Sequence, residues 1–454
     1  MPFMIPFETR VEIFREFVRL DMVRRRFGHP DPELWRHRIA FGSLGGSGGP
    51  SELGKHHASI RRKNEFEDAF KQFYSLGEKL KEPIQITFLD EFGLQEAGID
   101  GGGVTKEFLT SVTTEAFNPE KLYFTENSQH SLYPNPTSVE VHKEMLRMTG
   151  FPDDTEEHRE VIRDLLQRYE FLGRVVGKCL YEGILIDINF ASFFLSKWAL
   201  FGGTNNASRE SAYKASVNEL RDLDEELYQG LMSLKHYPGD VAEWGTYFAV
   251  NNTITPPNGQ TKTMEHELIP NGANTLVNRG NRLVYIAKVA QYRLSVQSHL
   301  QTTAFLTGLS AIIQPSWLNM FNQKELQTLI GGAASNIDVS DLRANTHYNG
   351  VYEIGTDGQE HPSIQLFWQI MLELPDADRR KVLKFVTSTP RAPLLGFGSL
   401  NPRFTIRDSG DDEKRFPTAS TCVNLLKLPR FKSKEALRDK LLYAVNSGAG
   451  FDLS

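Results

Sequence analysis

The longest run of helical periodicity lies between residues 159 and 200. Val161, Leu165, Tyr169, Leu172 and Val176 recur at the spacing of one helix face, with a break expected around 187–189. A stripe this long is stable only when other elements cover it, so the chain must build a core of many elements around it. Its 454 residues, 40% hydrophobic and 24% charged, suffice for that without disulfide or metal staples. By length alone about three domains are expected.

Cys179 falls on the buried pattern, among Val175, Val176 and Leu180, and reads as a small core residue. The only other cysteine, Cys422, is far away in sequence, which excludes a disulfide-dense scaffold and any four-thiolate site. The histidines show no metal-ligand spacing, and His56 and His57 are adjacent, so neither a metal nor a cofactor is expected. A net charge of -6 argues against a general nucleic-acid binder. Glu8, Arg10, Glu12, Arg15 and Glu16 interrupt the start, so no secretory leader is read there. The most apolar stretch, 181–200, contains Glu182, Asp187 and Lys197, so no membrane span is expected. These readings point to a reducing compartment, cytoplasmic or nuclear.

Other segments have their own signatures. Residues 7–26 read as a docked amphipathic helix with Val11, Phe14, Val18 and Met22 inward and a solvated basic face that includes Arg10 and Arg15. Residues 42–54 are a Gly/Ser-rich loop. A helix is predicted over 65–80 with Phe66, Phe70, Phe73 and Leu80 on one side, then a short strand through Ile84, Ile86 and Phe88. The glycines at 101–103 precede a helix over 104–117 and read as a tight turn, with Asp100 as a cap. No Lys-Ser or Lys-Thr pair follows in the place a nucleotide loop requires. Residues 237–282 read as strand-rich, 283–335 as helical and 343–357 as a connector. Beyond lies a compact α/β pattern: a helix opened by Pro362, another N-capped by Asp376, extended pieces at 404–406 and 423–428, and a last helix over 434–446.

Cys422 stands in PTASTCVNLLKLP, residues 417–429, between small hydroxyl residues and a strand-like apolar run. A free thiol has a pKa near about 8.5, so only a few per cent is thiolate at neutral pH. That is enough to exchange onto an activated thioester and poor for attacking an amide without a general base. A cysteine hydrolase would need a histidine base. No histidine follows Cys422, and His347 and His361 lie 75 and 61 residues before it (422 minus 347, 422 minus 361). Periodicity alone leaves open whether Cys422 is reactive or inert.

The segment 417–429 resembles the active-site motif of HECT-type ubiquitin ligases. Four further stretches agree in order: AGIDGGGVTKEF at 97–108, FLGRVVGKCLYEGILIDINFASFFLSK at 171–197, KFVTSTPRAPLLGF at 384–397 and the ending GFDLS at 450–454. The first and last residues are most similar to the proteasome-associated branch of that family. Ser420 stands where many members carry histidine.

The resemblance implies an α+β bilobal fold with no cofactor. Residues 1–64 would form a helical extension. Residues 65–342 would form a mostly helical N-lobe, with a conjugating-enzyme-binding subdomain at 225–325. A hinge would occupy 343–348, and 349–454 would form a compact α/β C-lobe. Cys422 would be the nucleophile that carries ubiquitin as a thioester before transfer to a lysine. Phe451, fourth from the C-terminus, would serve the transfer to lysine, and Asp452 would attract the acceptor ammonium or play no part. Thr421 and Asn424 would orient the ubiquitin tail or simply satisfy the loop. Leu234, Tyr247, Phe305 and Leu309 would line the partner groove or belong to the core. Expected partners are ubiquitin, a ubiquitin-conjugating enzyme, protein substrates and the proteasome, with neither nucleic acid nor membrane. The competing classes are a noncatalytic adaptor and the cysteine hydrolase.

Overall fold

The first periodic segment folds as read: a helix spans Phe7–Arg25 and buries Val11, Phe14 and Val18. The computed structural model describes residues 4–26, 56–90, 92–95, 103–151, 155–201, 213–256, 259–333, 336–355 and 358–446. The loop at 42–54, Asp100, Phe451 and Asp452 lie outside the described residues. The chain divides into two compact units. The first comprises Met1–Glu115, Cys179–Ile188 and Glu325–Ser454; the second comprises Ala116–Lys178 and Asn189–Lys324. This partition differs from the expected division at 342, because the first 115 residues group with the C-terminal part.

In the first unit the basic face of Phe7–Arg25 is not wholly solvated. Arg10 is buried and forms a bidentate pair with Glu325 at 2.6 and 2.8 Å, and Arg15 donates to the Leu180 carbonyl at 2.7 Å. Cationic heads carried on long apolar stems are buried here because each finds an acceptor. The strands His57–Arg61 and Gln85–Leu89 pair in parallel, His57 opposite Gln85. The intervening chain supplies the crossover that parallel pairing needs. The helix expected over 65–80 ends at Phe73 and tightens into a 3-10 segment, Tyr74–Lys81, broken at Gly77 with φ 56°. Phe66, Phe70 and Phe73 are buried as read, and Phe73 meets Phe108 edge-on at 5.8 Å.

The C-terminal part of this unit is a four-stranded sheet in the order His347–Asn349, Thr405–Asp408, Leu425–Leu428, Thr418–Ser420. Pro362–Glu373, Asp376–Thr387 and Lys434–Asn446 are its main helices. Trp368, Val386, Leu426 and Leu441 are among the buried residues of their shared core. Two expectations are corrected here. The segment read as a connector over 343–357 has regular structure from its start: Arg343 lies in the helix Val339–Ala344, and His347–Asn349 pairs with Thr405–Asp408. Ile337, Val339 and Leu342 already belong to the C-terminal core. Asp376 is not a cap; it is the first helical residue, and its carboxylate accepts from the Ile337 N–H at 2.7 Å and from Arg380 at 2.6 Å.

In the second unit the long helix belongs to Glu156–Glu182, whose last residues from Cys179 fall in the first unit. Cys179 is buried, as its place on the stripe predicts. Helicity stops earlier than the expected break, at Gly183 with φ 73°. Gly173 and Gly308 let this helix cross His299–Ile312 at backbone contact: a Cβ on Gly308 would lie 1.8 Å from the Glu170 carbonyl. Phe124, Phe190, Phe194, Trp198 and Phe305 pack ring against ring beside that crossing. The strand-rich segment is a hairpin, Ala249–Ile254 against Lys262–Glu267. Helices Glu225–His236 and Arg282–Gln291 belong to the same unit, the latter running into a π-helical turn, Tyr292–Val296. Among the described residues no helix is long and apolar enough to cross a membrane.

Candidate active site

The alternation of small and apolar residues after Pro417 makes a hairpin. Leu425 pairs with Ser420, Leu426 with Ala419 and Lys427 with Thr418, antiparallel. Ala419, Leu426 and Leu428 point into the core, and their neighbours are half-buried. The two strands are joined by a single 3-10 turn, Thr421–Val423, with Cys422 at its centre. Asn424 closes the turn in the left-handed region, φ 51° and ψ 41°. Asparagine tolerates that region better than most side chains, which explains its place here.

Asn424 is fully buried and all its polar groups have protein partners. Its N–H donates to the Thr421 carbonyl at 3.3 Å, and its carbonyl accepts from the Thr405 N–H at 3.0 Å. Its side-chain amide donates to the Pro402 carbonyl at 2.5 Å and accepts from the Lys106 ammonium at 2.5 Å. Lys106 also donates to the Thr421 carbonyl at 3.5 Å. The turn is therefore held from two sides, by the 402 loop and by the helix Gly103–Ala116.

The two histidines nearest Cys422 in sequence are engaged elsewhere. His361 caps Pro362–Glu373, its Nδ1 accepting from the Ser363 N–H at 3.1 Å. Burial, with the nearby Arg430 charge, holds its pKa below the usual imidazole value. His347 donates its N–H to the Phe404 carbonyl at 2.8 Å and pairs with Thr405, which in turn pairs with Leu425. Two strand spacings separate His347 from Leu425, roughly 10 Å between backbones. Among the described residues neither histidine hydrogen-bonds to the turn. The arrangement places a cysteine at the centre of a turn held on both flanks, where positioning is what exchange onto an activated acyl group needs.

Of the four residues expected at a partner groove or in the core, three are core residues. Leu234, Phe305 and Leu309 are buried in the second unit, and Phe305 lies 5.3 Å, ring to ring, from Phe194. Tyr247 is at the surface, 45% exposed. Asn424, expected to serve either ubiquitin or the loop, has partners within the protein at both ends of its side-chain amide. Thr421 is half-buried and lends its carbonyl to Asn424 and Lys106. Sequence reasoning missed Lys106. It lies inside the glycine-rich segment, yet nothing local marks it, because its acceptor is 318 residues away.

Residues 110–454 match the family model described as HECT-domain (ubiquitin-transferase). The chain is 42% identical over 452 residues to a probable E3 ubiquitin protein ligase of Schizosaccharomyces pombe, covering all of this chain and 38% of that relative. It is 41% identical over 457 residues to the E3 ubiquitin-protein ligase HUL5 of Saccharomyces cerevisiae, covering 100% of this chain and 44% of the relative. It is 36% identical over 482 residues to the ubiquitin-protein ligase E3B of Homo sapiens, with 100% and 40% covered. The chain thus spans about two fifths of the length of these curated relatives.

Proposed function

Because this chain belongs to the HECT-domain (ubiquitin-transferase) family, we propose that it takes ubiquitin from a conjugating enzyme onto Cys422 and passes it to lysines of protein substrates or of a growing polyubiquitin chain. In the first step the Cys422 thiolate attacks the thioester carbonyl on the conjugating enzyme. A new C–S bond forms, the old one breaks, and the conjugating enzyme's thiolate leaves. In the second step a neutral lysine amine attacks the Cys422 thioester. A C–N bond forms, the C–S bond breaks, the amine's proton passes to solvent, and the Cys422 thiolate is regenerated. The first step exchanges like for like and the second replaces a thioester by an amide, so what remains for the protein is chiefly positioning.

The observation that carries this reading is the hairpin turn Thr421–Val423, which holds Cys422 at its centre and is fastened on both flanks. Phe451 is assigned to the lysine-transfer step on the family resemblance. For the conjugating enzyme, the subdomain at 225–325 offers an exposed apolar patch that replaces the buried trio. The Trp244 ring lies tilted against Tyr237, 5.2 Å between centroids, and the Tyr237 carbonyl accepts from Arg282 at 2.8 Å. Leu283 and Val284 follow Arg282 and, like Trp244 and Tyr247, are exposed. In this reading any pivot of the C-terminal lobe lies before Ile337, since that residue already packs in the lobe's core. A nucleophilic thiol needs a reducing compartment, which supports a cytoplasmic or nuclear location. Association with the proteasome, and degradation of substrates there, rest on the branch that the first and last residues resemble.

The test is a thioester assay with activating enzyme, a panel of conjugating enzymes, ubiquitin and ATP. The wild-type chain is expected to form a ubiquitin adduct that reductant removes, and Cys422→Ala is expected to form none. Equal adduct on Cys422→Ala, or cleavage of preformed isopeptides by the wild type without a conjugating enzyme, would overturn the reading.

A further inference from the structure

A lysine buried near the start of a helix is in an unfavourable place twice over. Its ammonium loses hydration, and the helix N-terminus carries like partial charge. Lys106 is only 7% exposed and sits in the first turn of Gly103–Ala116. An apolar side chain of similar length would fill the same space at lower electrostatic cost. The ammonium instead reaches out of its own helix to the Asn424 side chain at 2.5 Å and the Thr421 carbonyl at 3.5 Å. Those two residues bracket Cys422 and Val423.

We propose that Lys106 is a positioning residue for thioester chemistry: its ammonium, acting through Asn424, fixes the backbone of the turn that carries Cys422. The inference rests on the transferase reading above. Asn424 is the natural relay. One face of its amide holds Lys106, the other holds the Pro402 carbonyl, and its left-handed backbone sets where the turn ends. Without the ammonium the Asn424 side-chain oxygen loses its charged donor in a fully buried place, and the turn gains alternatives to the one arrangement. Misplacement of a reacting group by about 1 Å costs on the order of a hundredfold in rate, so a modest loosening is expected to be visible. The ammonium need not touch ubiquitin or the thiol for this role.

The test is single-turnover loading of Cys422 from a preformed conjugating-enzyme thioester, with the thermal midpoint of every variant recorded. Lys106→Met keeps the bulk and removes the donor; loading is expected to slow about tenfold. Lys106→Arg restores a donor and is expected to load within about threefold of wild type. Asn424→Gly suits the left-handed backbone and removes the acceptor, so it slows loading without a strained turn. Both changes break the Lys106–Asn424 link, and Asn424→Gly also frees the Pro402 carbonyl, so the double variant is expected to be no slower than Asn424→Gly alone. Should Lys106→Met fail to fold, Lys106→Leu, which also lacks the donor, reads the tether in its place. Loading of Lys106→Met within twofold of wild type, Lys106→Arg as slow as Lys106→Met, or multiplied effects in the double variant would each refute the inference while leaving the transferase reading intact. If the wild type forms no adduct where Cys422→Ala also forms none, the transferase reading fails and this inference with it.

Discussion

Lys106 and Lys197 are equally buried, each 7% exposed, and they are put to different uses. Lys106 belongs to the first unit and fastens the turn around Cys422. Lys197 belongs to the second unit, where it donates to the Leu294 carbonyl at 2.5 Å within the π-helical turn Tyr292–Val296. The Tyr213 ring lies 4.9 Å from its ammonium. Burial pushes the Lys197 pKa down to about 8. In both places an ammonium excluded from water fixes a stretch of irregular backbone, because such backbone has carbonyls outside the regular ladder. The difference lies in what the fixed backbone carries: a bulge in a core helix in one case, the candidate nucleophile in the other. Chemistry and architecture draw on the same interaction, and only its address distinguishes them.

The sharpest test falls on the helix crossing in the second unit, the unit to which Lys197 belongs. Gly308→Ala would drive a methyl to 1.8 Å from the Glu170 carbonyl, at backbone that cannot yield locally. A loss of more than about 3 kcal/mol in denaturant unfolding is expected. A change within 1 kcal/mol would mean that the helix crossing is looser than described.

A smaller effect is read by pH at Lys197. The folded-state pKa of Lys197, about 8, lies below the unfolded value near about 10.4. Between those values the unfolded chain binds more protons, so stability rises with pH, by on the order of 2–3 kcal/mol from pH 8 to 10. Lys197→Met is expected to remove that rise, measured as the difference between variant and wild type across the window. Equal pH slopes for both proteins would show that the Lys197 ammonium is not desolvated. The smallest effect is the control. Arg430 pairs at 3.2 Å with Asp408, the last residue of the strand Thr405–Asp408, but it is 37% exposed. Arg430→Ala is expected to cost less than about 1 kcal/mol. A larger loss would erase the distinction between surface and buried cations at that sheet.

Much of the fold was legible before any coordinates. Val11, Phe14 and Val18, the three phenylalanines at 66, 70 and 73, and Leu437 with Leu441 are buried on the faces their spacing marks. Cys422 falls where composition changes from hydroxyl to apolar, which is where a turn gives way to a strand. Most of the errors share one cause. Periodicity identifies an apolar face and is silent about what covers it. Leu234, Phe305 and Leu309 look the same in sequence whether they face a partner or a core. Arg10 and Arg15 look like a solvated stripe until Glu325 and the Leu180 carbonyl are brought to them. The helix read over 65–80 stops at Phe73 because the chain tightens and then breaks at Gly77, where φ is positive.

By itself the sequence determined the element types, the core-facing residues and, through its ordered motifs, the HECT family and the cysteine on which the proposed chemistry turns. These are local or collinear properties: side-chain spacing sets periodicity, and a motif is read in one pass along the chain. Only the tertiary structure decided that Asn424 is spent inside the protein, that the start of the expected connector is part of the C-terminal sheet, and that Lys106 reaches the turn. Each of these depends on a hydrogen bond between residues distant in sequence. Such a bond forms where folding brings two groups within about 3 Å and excludes water from both, a condition that residue spacing along one chain does not encode.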